Sequence, residues 1–203
     1  SDYAEYIKKN NYLLLKGNVI ALDRKNNRIE AEKAEYDGNL KLFKTIGITK
    51  ILTSEGYKIE GENIVADNKE RIINSNRETT ITDKDLNKIY LKSFKYLIEE
   101  NIFKSIGLIE IKDKMDNSYE FSQLYIDTKK KEMIGTDSKA FINEQSFKIN
   151  DKNKPRIFSN SVKMKNENTV FDKSVFTMCN YRKNDKCPPW NIQAKKMLHD
   201  RKK

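Results

Sequence analysis

Few residues in this 203-residue chain could carry chemistry. There is one histidine, His199, and there are two cysteines, Cys179 and Cys187, which bracket seven polar residues just before Pro188-Pro189-Trp190. A structural zinc site needs four ligands and these side chains offer at most three, so no metal is expected. In an oxidising compartment the cysteines could close a disulfide across their own loop or bond to a cysteine elsewhere, and free thiols are the remaining alternative. Asp37, Asp67 and Asp127 recur near a thirty-residue register. Aspartates lined up on a β-helix can do acid/base work or hold calcium. Here each one follows an inward apolar residue and precedes a turn, where Asp accepts hydrogen bonds from its own backbone, so a structural role is expected. Neither a glycine-rich phosphate loop nor a G-x-S-x-G elbow occurs, and neither an enzyme activity nor a cofactor is expected.

What the chain has instead is a repeat. FKTIGI at Phe43 to Ile48 returns as FKSIGL at Phe103 to Leu108. A shift of thirty residues superposes apolar positions at relative spacing 0, 2, 5 and 7. Ile29, Ala31, Ala34 and Tyr36 are followed by Ile59, Gly61, Ile64 and Ala66, by Ile89, Leu91, Phe94 and Tyr96, and by Tyr119, Phe121, Leu124 and Ile126. After slips of eight and five residues the set returns as Ile157, Ser159, Val162 and Met164, then as Ile192, Ala194, Met197 and His199. A second register runs Leu13, Phe43, Ile73, Phe103 and Met133, and Gly17, Gly47 and Gly107 mark one recurrent site that Arg77 interrupts. Alternation of apolar and polar residues is the period of a strand with one face buried. The step of three breaks that alternation, and a bulge or corner there keeps the next apolar pair inside.

Each unit therefore reads as two strands joined by polar turns such as DRKNNR and DNKE. The expected fold is all-β, a solenoid-like stack of about twelve antiparallel strands with almost no helix. Residues 1–178 form the repeats; residues 179–203 form a cysteine-containing junction and a final strand. With 37% hydrophobic and 34% charged residues the chain is lean for a closed globule. A stack whose layers cover one another needs less core. No run approaches the roughly 18 to 20 apolar residues of a spanning helix. The net charge of +10 is uneven: residues 151–203 hold 14 Lys or Arg against 5 Asp or Glu, whereas residues 1–150 hold 26 against 25. A basic end can meet nucleic acid, an anionic lipid surface or an acidic partner. Without a groove-entering helix, an RNP-like motif or a zinc pattern, nucleic acid is not expected.

The cysteine loop, PPW and the IxAxxxxHD strand together resemble the end of the periplasmic domain of the LptD (OstA, organic solvent tolerance) family of lipopolysaccharide-assembly proteins. AEY at Ala4 to Tyr6 and Ala34 to Tyr36, GNV at Gly17 to Val19, and the thirty-residue strand pairs resemble the OstA-like repeats that this family shares with LptA and LptC. The resemblance implies a β-jelly-roll with a hydrophobic groove. Lipopolysaccharide would be received there, acyl chains inside, and delivered to an outer-membrane barrel and its plug lipoprotein at the periplasmic face of the outer membrane. The barrel would follow residue 203, and cysteines of this domain would pair with those of the barrel. Homologous bridge proteins would join by edge-strand pairing near Tyr12 to Val19. The expected groove lining is Ile29, Ala31, Ala34, Tyr36, Phe43, Ile59, Ile64, Ile73, Leu91, Phe94, Tyr96, Phe103, Phe121, Leu124 and Ile126. The rival readings are a stand-alone bridge protein and a polysaccharide-acting or adhesive β-solenoid.

Overall fold

A computed structural model describes residues 1–22, 26–143, 155–165, 168–178 and 190–200. The alternating pattern becomes strands: β1 (Tyr3–Ile7), β2 (Tyr12–Leu22), β3 (Arg28–Asp37), β4 (Leu42–Leu52), β5 (Lys58–Glu62), β6 (Val65–Asp67), β7 (Ile72–Ser75), β8 (Thr79–Thr82), β9 (Lys88–Leu91), β10 (Phe94–Leu97), β11 (Ile102–Lys112), β12 (Ser118–Asp127), β13 (Glu132–Phe141), β14 (Arg156–Lys165), β15 (Asn168–Thr177) and β16 (Ile192–Asp200). They form one sheet, and among the described residues the only helical element is a 3-10 turn at Lys8–Asn10. The all-β antiparallel stack is thus what the repeat specifies.

Sixteen strands stand where about a dozen were expected, and the corner between the second and third inward residues is the reason. In β2 and β4 it is absorbed as a bulge opposite β3: Lys16 to Val19 and Ile46 to Thr49 each lie against Lys33 to Ala31, which is one residue shorter. In the next three arcs the same place interrupts the ladder, so β5 and β6, β7 and β8, and β9 and β10 are each halves of one arc. Two arms result, β5-β8-β9 and β6-β7-β10, both starting from the unbroken β4. The chain divides into two compact units, Ser1–Ser105 and Ile106–Lys203, with the division inside β11. In the second unit β12 to β16 pair consecutively. The N-terminal edge differs from expectation: Tyr12 to Lys16 of β2 is covered by the chain's own β1.

The repeat is also one of backbone conformation. Left-handed residues recur thirty apart at Asn11, Lys41, Arg71, Asn101 and Lys131, and again at Asn26, Gly56, Leu86 and Asp116. Holding a residue such as Lys41 there costs about 1–2 kcal/mol, which the pairing of the flanking strands must exceed. The glycine register behaves alike: Gly17, Gly47 and Gly107 have φ of 68°, 82° and 112°, and Asp137 continues the series at 50°. Arg77, which interrupts the glycines, falls in the gap between β7 and β8.

Glycine has a second use at Gly135, where a methyl would overlap the ring of Phe121. Gly135→Ala should destabilise the protein by about 1–3 kcal/mol through overpacking. Gly47→Ala meets no atom within 4 Å and should cost about 1–2 kcal/mol through backbone conformation alone. Urea unfolding separates the two: Phe121→Leu should recover part of the loss in the Gly135→Ala background and none in the Gly47→Ala background. Equal recovery in both would refute the steric assignment.

Candidate functional site

Cross-strand pairing turns the spacing 0, 2, 5 and 7 into four inward columns. In the first unit, the first column runs Ala21, Ile29, Ile51, Ile59, Ile81 and Ile89. The second holds Val19, Ala31, Thr49 and Gly61, with Thr79 opposite Leu91. The third holds Leu15, Ala34 and Thr45, then Ile64, with Ser75 opposite Phe94. The fourth is unbroken from Tyr6 through Leu13, Tyr36, Phe43, Ala66, Ile73 and Tyr96 to Phe103. In the second unit the first column is Tyr119, Ala140, Ile157, Phe176 and Ile192, and the third is Leu124, Gly135, Val162, Phe171 and Met197. There the second carries Phe121, Ser138, Ser159, Ser174 and Ala194, and the fourth Ile126, Met133, Met164, Thr169 and His199.

The fifteen residues expected to line a groove all fall on these columns, but burial divides them. Ala34, Ile64, Leu91, Phe94, Phe103, Phe121 and Leu124 are buried, so they are packed core. Ile29, Ala31, Tyr36, Phe43, Ile59, Ile73, Tyr96 and Ile126 are half-buried. The open residues concentrate on the fourth column, where Leu13, Tyr36, Phe43, Ala66, Ile73 and Tyr96 are all half-buried and directly opposite one another. At its end Phe103 is buried and stacks on Phe94, ring centroids 5.4 Å apart.

Between the second and third columns the interior is polar and satisfied. Thr45 Oγ1 accepts from Ile64 N at 3.0 Å and from Thr49 Oγ1 at 2.7 Å. Ser75 Oγ donates to Glu62 O at 2.7 Å, and Ser105 Oγ to Ser93 O at 2.6 Å. Thr45, Ser75 and Ser105 are thirty residues apart, and each supplies a partner to backbone that the break in the strand leaves without a ladder. Apolar periodicity missed them, although the shared position in FKT, INS and FKS was a usable signal. Farther along, the hydroxyls of Ser138 and Ser159 lie 2.5 Å apart.

The aspartates do what turn chemistry predicts. Asp37 Oδ1 accepts from Asn39 N and Leu40 N, Asp67 Oδ1 from Lys69 N and Glu70 N, and Asp127 Oδ1 from Lys130 N. Asp83 and Asp113 form a further pair, each accepting from the backbone and side chain of the asparagine four residues on. His199 stands opposite Thr169, and no three metal-ligating side chains meet among the described residues. Cys179 and Cys187 lie outside the described residues. On the outer face Glu30, Glu35, Glu60, Glu110 and Glu120 each pair with a neighbouring Arg or Lys instead of clustering.

Glu132 is held between Lys165, at 2.5 Å, and Lys163, at 3.0 Å. The hydrogen bond from Lys165, then that from Lys163, keeps its carboxyl below the usual glutamate range. A lowered folded-state value means that the contribution is present above the unfolded value and is lost as pH falls through the folded one. Glu132→Gln should therefore flatten that acid limb of the stability curve; an unchanged limb would contradict the clamp. Thr45→Val should cost about 1–3 kcal/mol by stripping buried Ile64 N of its acceptor, measurable by urea unfolding and absent if the bond contributes nothing.

No family model matches this chain, and no curated protein matches it. Among solved structures, the crystal structure of LptH, the LptA-homologous periplasmic component of the lipopolysaccharide transport device of Pseudomonas aeruginosa, is similar over 54% of this chain and 81% of that one, at 19% identity and a TM-score of 0.47. The chemistry of the site is carried by this chain's own residues.

Proposed function

We propose that the chain is a non-enzymatic periplasmic path for lipopolysaccharide, acting as a bridge-type segment that shelters acyl chains along the fourth column. The carrying observation is the unbroken file of half-buried apolar side chains from Leu13 to Tyr96. It crosses six neighbouring strands, which at the usual spacing is roughly 24 Å. An exposed contiguous apolar strip of that kind marks a binding surface. Because neighbouring layers present the same chemistry, no one place along the strip holds the ligand preferentially, which suits a sliding lipid. In this reading the chain supplies a path, and transport is driven from elsewhere.

The OstA-like repeat supports the same reading. Pairing of the terminal strands β1 and β16 with homologous stacks would extend the path, because an edge strand is a template for strand addition. A second reading, the domain of a barrel protein at the outer membrane, draws its support from the sequence resemblance of the final segment, whose start is packed on β15. There Thr177 Oγ1 donates to Trp190 O at 2.9 Å, and the Trp190 ring meets Phe176 edge-on with centroids 6.4 Å apart. In that reading Cys179 and Cys187 would serve as partners for cysteines of the barrel. A polysaccharide-acting solenoid would call for an outer carboxylate cluster, whereas the outer glutamates named above are paired.

Photo-crosslinkers at Phe43, Ile73 and Tyr96 should capture lipopolysaccharide or lipid A, and those at the exposed Lys44 and Lys95 should not. Ile73→Asp should reduce capture at its neighbours, since an unpaired charge is costly in an apolar strip. Equal labelling at both sets of positions would sink the proposal.

A further inference from the structure

At the rim beside the fourth column of residues 106–203, five ammonium groups gather. Lys129, Lys130 and Lys131 form the exposed turn between β12 and β13, and Lys163 and Lys165 flank Met164 on β14. Met164 pairs with Met133 in the fourth column, so these lysines begin where the apolar file ends. Among the described residues the carboxylates here are Glu132, clamped by Lys163 and Lys165, and Asp127, which takes Lys130 at 3.1 Å. The row from Glu132 and Lys165 continues through Asn168 to Asp200, so among the described residues, even with Asp200 included, the cations exceed the anions by two. Lys129 and Lys131 have no ion pair among the described residues.

We propose that this cluster binds the phosphate ester of an amphiphile whose tail lies against the half-buried Ile126 and Met133. The inference rests on the function proposed above and adds where the head of the lipid is held. Ammonium groups on flexible stems, each with three donors, suit a phosphate that turns freely as the molecule advances, whereas the planar fork of Arg would fix one orientation. Glu132 is a positioning residue: it holds Lys163 and Lys165 on the same side of the rim, lowering the ordering needed when an anion arrives. A carboxylate already shared by two lysines leaves one positive charge over, and the lysine turn adds the rest.

The test is calorimetry on the full chain with dodecyl phosphate, dodecyl maltoside and inorganic phosphate, the amphiphiles kept below their micelle concentrations. Dodecyl phosphate should bind about tenfold more tightly than dodecyl maltoside, the combined effect of a few exposed ion pairs. That advantage should shrink with salt and vanish in Lys129→Gln/Lys131→Gln/Lys163→Gln/Lys165→Gln, while maltoside binding stays unchanged. Lys129→Gln/Lys131→Gln, which breaks no ion pair, should lose about half of the logarithmic advantage and covers the case in which the fourfold variant does not fold. Equal affinities for the two amphiphiles in the unaltered protein, or an advantage that survives the lysine substitutions, would overturn the headgroup site alone. Inorganic phosphate binding as tightly as dodecyl phosphate would refute the coupling to the apolar file. Failure of both amphiphiles to bind would overturn this inference and the proposed function together.

Discussion

Every arc of this chain must keep four side chains inside while its backbone alternates, and the corner between the second and third, three residues wide at Ala31 to Ala34 and four wide at Thr45 to Thr49, is the constraint on which the rest depends. Where the step is three, as between Ala31 and Ala34, strict alternation would turn the third and fourth residues outward. The extra residue corrects the facing but leaves backbone groups at the corner without a regular ladder. The chain meets that cost in two ways. Left-handed backbone at Gly17, Gly47, Gly107 and Asp137 absorbs the extra length, and Thr45, Ser75 and Ser105 return hydrogen bonds to the interrupted strands. Because the solution recurs every thirty residues, arcs of unlike sequence share one register.

That register also decides where a ligand could go. The corner is filled: Ala34, Thr45, Thr49, Ile64 and Phe94 are buried, and the hydroxyls among them are already bonded. The open side chains concentrate at the ends of the arcs. Along the fourth column the side chains are Leu, Tyr, Phe, Ala and Ile, all half-buried, so apolar area remains exposed in the one direction that the stack repeats. Each Å² of it that a tail covers contributes about 25 cal/mol. A uniform strip gives affinity without a preferred stop. In the second unit, lysines border that unit's own fourth column, and the attraction for charge proposed there would be screened by salt and easily released.

Much of this was legible in the residues. The spacing 0, 2, 5 and 7 placed Ile29, Ala31, Ala34 and Tyr36 and their successors on inward columns because a half-buried strand cannot hide its period. The slips before Ile157 and Ile192 were legible for the same reason, and both sets pair in register with β15. The breaks at Asn63, Arg77 and Ser93 were not, because apolar periodicity reports which side chains face inward and not whether the ladder between them survives. Nor did it separate core from open residues: Phe103 and Phe43 hold the same repeat position, yet one is covered by Phe94 and the other is half-buried. The N-terminal edge was misplaced because Tyr3 to Ile7 lacks the second half of the pattern, although it pairs with Tyr12 to Lys16. Lys41, Arg71 and Lys131 give no sign of their left-handed conformation beyond their spacing.

The central claim is that tails lie on the open fourth column and are excluded from the filled corner. Methyl-labelled isoleucine and leucine side chains allow this to be measured by intermolecular nuclear Overhauser effects from a lipid A acyl chain. The account predicts contacts to the methyls of Leu13 and Ile73 and none to those of Ile64 and Leu91. Contacts to Ile64 or Leu91 as strong as those to Ile73, or none at Leu13 and Ile73 in a saturated complex, would contradict it.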